Sequence, residues 1–432
     1  LVRYEKDVTL EDKEENMKII ADFHIHSKYS RATSKEMNLE GLARGAKIKG
    51  LNLLGTGDFT FPLWLKELKQ KLKPSGNGIF TYEDVCFTLT TEVATYFTYQ
   101  GKMKRIHHVI HAPSFEIVDQ INEALSKFGN LKADGRPILN LTAAELVEIL
   151  MQISKDILIY PSHAWTPWMS CLGSRSGFDS VEECYQDRVK YIFALETGLS
   201  SDPAMNWRLS KLDKFTLISS SDSHSPWTWR LGREANVFEL KELNYKEIYN
   251  AIKNKNRKRF LFTIEVDPNY GKYHFDGHRK CGVKLHPKDA IKLNNICPKC
   301  KRKLTIGVLH RVEELADREE GFVPKNAIPF KTLLPLYEII SFAWGKGELY
   351  SRKVLQEHDK LIEKFGNELN VLLNVSKEKL KDITDKRVVN AIIKVREGKV
   401  SFDPGFDGVY GKPLFNGKIE MKKISQTSLL EF

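Results

Sequence analysis

His24 and His26 stand at i and i+2 behind an apolar run, in KIIADFHIHSKYS. On a strand that spacing sends both imidazoles to one side. Asp222 and His224, in SSSDSHSPW, repeat the spacing far along the chain. Between them, apolar or β-branched runs lead to ligand-type side chains. Asp58 follows GLNLLGTG, Glu92 follows VCFTLTT, His163 follows DILIYPS and Glu196 follows YIFAL, while RIHHVIH carries His107, His108 and His111. Imidazoles and carboxylates without thiolates suit zinc, manganese or iron. The expected ligands are His24, His26, Asp58, Glu92, His163, Asp222 and His224. One of His107 and His108 joins them, and His107 is preferred because it shares a face with Val109. Two divalent ions ~3.5–4 Å apart can bind a phosphate, lower the pKa of a water and stabilise both oxygens of an in-line displacement. Hydrolysis of a phosphate ester is therefore expected, centred on Asp222, His26 and a bridging Glu92.

A second constellation has different chemistry. His278, Cys281, Cys297 and Cys300 give H-x2-C-x15-C-x2-C, the spacing of a structural zinc site. His274 or His286 could replace His278. Cys86, Cys171 and Cys184 are scattered and read as buried or free thiols. The zinc motif sits in a basic block. Residues 251–304 hold 15 Lys/Arg against 4 Asp/Glu, which accounts for the whole net charge of +11. Such localised charge points to DNA or RNA. Arg257, Lys258 and Arg259 are candidate phosphate contacts. Trp165, Trp168 and Arg175, on the loop after His163, are candidates to stack on or wedge into nucleic acid.

These side chains need elements to hold them. From residue 18 to about 224, short strands alternate with helix-like stretches at 39–49, 116–128 and 142–154, which argues for an α/β fold with parallel strands. Functional residues closing seven successive strands favour a barrel over an open sheet, whose site would gather at one switch point. FLFTIE reads as a further strand, and residues 311 to about 398 read as helices.

In order and strand context, His-x-His at 24 and 26, Asp58, Glu92, the pair near 107, His163 and Asp-x-His at 222 and 224 resemble the PHP (polymerase and histidinol phosphatase) domain. That resemblance implies a distorted seven-stranded barrel with two or three divalent ions (Zn, Mg or Mn). Two departures bear on the third ion: Phe59 stands where the family has histidine, and SKYSRAT lacks a further one. With GHRKC, CPKC and GVLHRVEELADR downstream, residues 17–432 are similar to the endonuclease Q family of archaeal DNA repair. This implies nicking 5′ of uracil, hypoxanthine, xanthine or an abasic site. A small-molecule phosphatase would explain the barrel but not the zinc motif or the basic block. A DNA-binding protein without activity is the other alternative.

The organisation expected is a leader or appended segment at 1–16, since Met17 looks like a natural start, and a phosphoesterase barrel at 17–262. A basic zinc module at 263–310 and a helical region at 311–422 follow. The tail at 423–432 ends QTSLLEF. Its Gln426, Leu429 and Phe432 resemble the peptide that docks on the sliding clamp (PCNA). A hydrophobic content of 41% supports a real core, and no apolar run reaches the ~18 residues of a membrane span. A cytoplasmic, nucleoid-associated protein is expected.

Overall fold

The computed structural model describes residues 16–345 and 351–414. In chain order the strands are β1 (Met17–Asp22), β2 (Leu53–Gly55), β3 (Lys73–Gly76), β4 (Ile79–Tyr82), β5 (Val85–Tyr99), β6 (Lys102–Ala112), β7 (Ile138–Leu139), β8 (Leu158–Pro161), β9 (Ala194–Glu196), β10 (Thr216–Ile218), β11 (Ala235–Leu240), β12 (Phe260–Glu265), β13 (Asp276–His278), β14 (Val283–Leu285), β15 (Phe330–Thr332), β16 (Ser401–Asp403) and β17 (Lys412–Leu414). One large sheet has the order β15-β12-β11-β1-β2-β5-β4-β3, with β6 and β7 also on β5 and β8 on β6. The fold is mixed α/β.

The parallel unit β1–β2 is made by a crossover helix, Leu39–Lys49. Asn38 caps its start by accepting from Gly41 N, and Gly50 ends it in the left-handed region at φ 93°. Those are the bounds that the apolar periodicity predicts. Other pairings depart from an all-parallel sheet. β11 lies antiparallel to β1, and β5 and β6 form an antiparallel hairpin. Glu92 therefore does not close its strand. β5 runs on to Tyr99 before turning, because TYFTY keeps the β-branched and aromatic character of a strand.

Two buried clusters sandwich the sheet. Ala21, Phe23, Leu53, Val109, Tyr160, Ala194, Ile218 and Phe238 belong to one. The other takes in helix residues such as Leu42, Leu146 and Val147 and continues into Leu361, Val388 and Ile392 of the C-terminal helices. That region is tied on by more than apolar contact. β15 extends the sheet beside β12. Lys49, on the first helix, pairs at 2.7 Å with Glu368 inside the protein. Downstream of β12, the β13–β14 hairpin carries a small core of Val283, Ala290, Cys297 and Leu304. Among the described residues no helix is long and apolar enough to cross a membrane.

Candidate metal centres and active site

His24 and His26 lie just past β1, on either side of a one-residue bridge between Ile25 and Ser223. That bridge brings the Asp222–His224 segment to the end of β1. Asp22 fixes the same segment by accepting from Ser221 N (3.0 Å) and Gly232 N (2.9 Å). Glu92 projects from β5 and His107 from β6, with His163 two residues beyond β8. Asp58, His163 and Asp222 hold left-handed backbone at φ 45°, 30° and 48°. Such conformations cost about 1–3 kcal/mol each in non-glycine residues and concentrate at functional sites.

The side chains form two groups whose ligand atoms lie within 4.8 Å of one another: His24, His26 and Asp222, then Glu92, His107 and His163. Glu92 joins them. Its Oε1 is 3.0 Å from His107 Nδ1 and 3.2 Å from His163 Nε2, and its Oε2 is 3.4 Å from His26 Nε2. His24 Nε2 is buried without a hydrogen-bond partner. Glu92 Oε1 and Asp222 Oδ1 stand 3.5 and 3.6 Å from it, too far to bond but suited to ligands that share an ion. An orphaned nitrogen among carboxylates fits a divalent cation.

The charges agree. Burial lowers the pKa of His24, yet Glu196, Glu92 and Asp222 outweigh it and hold the group well above its ordinary value. Burial likewise opposes ionisation of Glu92, but His107, His24 and Arg136 keep it well below the carboxylate range. A field that holds protons this firmly also attracts a metal ion, which displaces them.

Several candidates sit elsewhere than expected. Asp58 lies outside both groups. Its Oδ1 faces His26 Nδ1 at 3.0 Å, and its Oδ2 accepts from Ser27 N, Ser27 Oγ and Ser30 Oγ at 2.6, 2.7 and 2.9 Å. It orients His26. His108 points away from the site, because neighbours on a strand face opposite sides. Its ring nitrogens meet Thr95 Oγ1 (2.9 Å) and Tyr185 OH (2.8 Å), so His107 is the site-facing member of the pair. His224 stands at the rim, its ring 4.5 Å from that of His26, outside both groups.

Trp165 is a core residue, 1% exposed, and donates to Asn206 Oδ1 at 2.8 Å, so it cannot reach nucleic acid. Trp168 is 40% exposed and lies edge-on to Tyr273. Arg175 bonds the carbonyl of Leu304 (3.2 Å), fastening this loop to the Cys/His module. Arg257, Lys258 and Arg259, the candidate phosphate contacts, lie away from the ligand groups. Arg259 O accepts from Glu239 N, and Glu239 pairs with Lys18 at the start of β1. The advance from Lys18 to His24 spans roughly 20 Å at the rise of a strand. These cations occupy the opposite end of the sheet. Gln426, Leu429 and Phe432 lie outside the described residues.

Two site residues went unassigned in the sequence. Both Glu196 oxygens are 3.0 Å from His24 Nδ1, and Oε1 also accepts from His163 N at 2.9 Å. Its position at a strand end was the available signal. Arg136 reaches Glu92 Oε2 at 3.1 Å from a loop. That loop comes close because Gly135 backs onto the site: a Cβ there would lie 2.3 Å from Asp58 Oδ2. A lone loop arginine gives no signal.

The second constellation assembles as expected. Ligand atoms of His278, Cys281, Cys297 and Cys300 lie within 4.8 Å of one another. Burial raises the Cys297 thiol, but the N–H groups of Cys300 and Lys299 outweigh it and bring it down to about 6. Among the described residues this is the one group of metal-ligating side chains built on thiols.

Comparison with known proteins follows the same outline. Residues 335–399 match the model of the MJ0043 C-terminal domain. An uncharacterised protein of Methanocaldococcus jannaschii is 37% identical over 59% of this chain, which spans only about a third (31%) of that protein. An uncharacterised Bacillus subtilis protein is 28% identical over 91% of this chain and 99% of its own length. The lesion-specific endonuclease PfuEndoQ of Pyrococcus furiosus superposes with a TM-score of 0.83 at 37% identity, over 92% of this chain and 95% of that one. An endonuclease Q complex with a 27-mer duplex carrying an abasic lesion at its active site matches equally, over 92% and 96%. With that identity held over nearly the whole length of both molecules, the chain belongs to the endonuclease Q family.

Proposed function

We propose that this chain is a metal-dependent DNA repair endonuclease that nicks the phosphodiester 5′ of deaminated bases (uracil, hypoxanthine, xanthine) and of abasic sites. The observation that carries the reading is the pair of ligand groups joined through Glu92, on a chain that matches PfuEndoQ over 92% of its length. His24, His26 and Asp222 would hold one divalent ion, and Glu92, His107 and His163 a second. Such ions, bound, polarise a phosphate and acidify a water. Asp58 and Glu196 orient His26 and His24. Arg136, part exposed beside Glu92, offers positive charge to the phosphate. The strands that carry these residues are read as a closed PHP barrel, supported by the Ile25–Ser223 bridge. His278, Cys281, Cys297 and Cys300 would hold one structural zinc.

Lesion choice would come from extruding the damaged nucleotide, which costs least where pairing is already weak. The tail beyond the described residues is proposed to dock on a sliding clamp. The test is to present the protein with lesioned duplexes and with a free phosphomonoester under Mg²⁺, Mn²⁺ or Zn²⁺. Cleavage confined to the duplexes supports the reading. Turnover of the monoester alone would replace it with a phosphatase.

A further inference from the structure

Beside Asp222, three cations converge on one phenol. Arg233 donates from Nε and Nη2 to the carbonyl of Ser221, at 3.3 and 3.1 Å, one peptide from Asp222. Its charge also acts on the phenol of Tyr410. The guanidinium carbon of Arg230 lies 5.6 Å, and Lys272 Nζ 4.7 Å, from the centre of the Tyr410 ring. Lys272 is exposed, and Arg230, Arg233 and Tyr410 are half-buried. A buried carboxyl, Glu338, also faces the arginines; burial pushes its pKa up to about 7. Although burial opposes it, the three cations bring the Tyr410 phenol down to about 8.

Distant segments must meet to build this. Arg230 and Arg233 follow His224 in the chain, Lys272 follows β12, and Tyr410 lies on the turn between β16 and β17. That turn is stitched to the backbone of 269–272: Gly405 N to Asn269 O (2.8 Å), Gly408 N to Lys272 O (3.0 Å) and Gly411 N to Tyr270 O (3.1 Å). A Cβ on Gly405 or Gly411 would lie 2.1 or 2.0 Å from a backbone oxygen. The Gly-rich stretch DPGFDGVYG thus presses Tyr410 against the cations at the edge of the site.

Guanidinium, ammonium and hydroxyl donors gathered around one partly open point match the oxygens of a phosphodiester. We infer that Arg230, Lys272 and Tyr410, with Arg233 positioned behind them, form a subsite for the backbone phosphate next to the scissile one on the cut strand. The inference rests on the endonuclease reading and assigns the region beyond the barrel a direct part in gripping DNA.

The test uses the full chain carrying Asp222→Asn and duplexes with one abasic-site analogue, in which single phosphates are replaced by neutral methylphosphonates. One replacement beside the lesion should weaken binding roughly tenfold, the loss expected for a charge-assisted contact. Arg230→Gln and Lys272→Gln should each reproduce that loss, lower the salt slope by about one and bind no worse when the same phosphate is neutral. Tyr410→Phe removes only the hydroxyl and carries the test should an Arg230 variant fail to fold. Wild-type affinity and salt slope in all three variants overturns the subsite, as do losses that simply add to every methylphosphonate. A parent protein that binds duplex without preferring the lesion overturns the repair reading instead, and the subsite is still decided on the same duplexes.

Discussion

Replacing Glu196 with glutamine probes the support of the metal centre without touching an expected ligand. Glu196 Oε1 serves two donors, His24 Nδ1–H at 3.0 Å and His163 N–H at 2.9 Å, while Oε2 lies 3.0 Å from the same Nδ1. Glutamine can keep one oxygen for both donors. Its amide nitrogen then faces His24 Nδ1–H, donor against donor, and the carboxylate charge is lost. The residue is wholly buried, so solvent does not screen the change. A charge-assisted hydrogen bond of this kind contributes about 1.5–3 kcal/mol. That converts to a roughly ten- to hundredfold loss of metal affinity, the usual range for outer partners of metal-bound histidines. Competition against a fluorescent chelator measures it directly, with thermal unfolding as the folding control. Nicking by Glu196→Gln should fall at stoichiometric metal and recover in excess. An affinity equal to wild type would refute the claim that Glu196 sets the His24 ring.

Lys49→Met should cost about 3–5 kcal/mol in thermal or denaturant unfolding, because it strands the Glu368 charge inside the protein. Burial alone would raise Glu368, but Lys49 and His358 bring it down to about 2. A depressed carboxyl stabilises above its unfolded value, ~4.3, and that contribution disappears as pH falls from there through about 2. The variant should lose the Lys49 share of this acid dependence, leaving the share due to His358. Trp165→Ala should destabilise by about 3–5 kcal/mol as a core truncation, whereas Trp168→Ala should leave unfolding nearly unchanged and weaken duplex binding. Cys281→Ser should remove one equivalent of zinc per chain by elemental analysis and deprotect amide exchange across 276–304, with the sheet still folded.

Much of the site was legible because its signal is local. The i, i+2 pair at 24/26 and the four residues 278, 281, 297 and 300 carry their geometry in their spacing, and the structure brings each set together, while of the pair at 222/224 Asp222 joins the ligand groups and His224 stays at the rim. Asp58 was read as a ligand from its place after an apolar run and in the motif order. Its loop turns back at φ 45° and spends both oxygens on His26 and two serines. Sequence does not show which neighbours a carboxylate's oxygens will meet. Strand direction was also hidden. RIHHVIH reads alike in either sense, and it is the short turn after Tyr99 that makes β6 antiparallel. The basic block was visible as composition, yet its run Arg257–Arg259 lies at the end of the sheet away from the ligand groups, a fact that depends on the β1–β11–β12 register. Tyr410 and Arg136 reach the site only through tertiary packing of loops.

The central claim is that the paired ligand groups cut DNA at a lesion. The most direct measurement is denaturing electrophoresis of end-labelled duplexes carrying one deoxyuridine, deoxyinosine or abasic site beside an undamaged control, with wild type and Asp222→Asn. The account predicts one nick immediately 5′ of the lesion, dependent on divalent metal, absent from the control and abolished by Asp222→Asn. An intact lesioned strand under every metal, or a nick that survives Asp222→Asn, would contradict it.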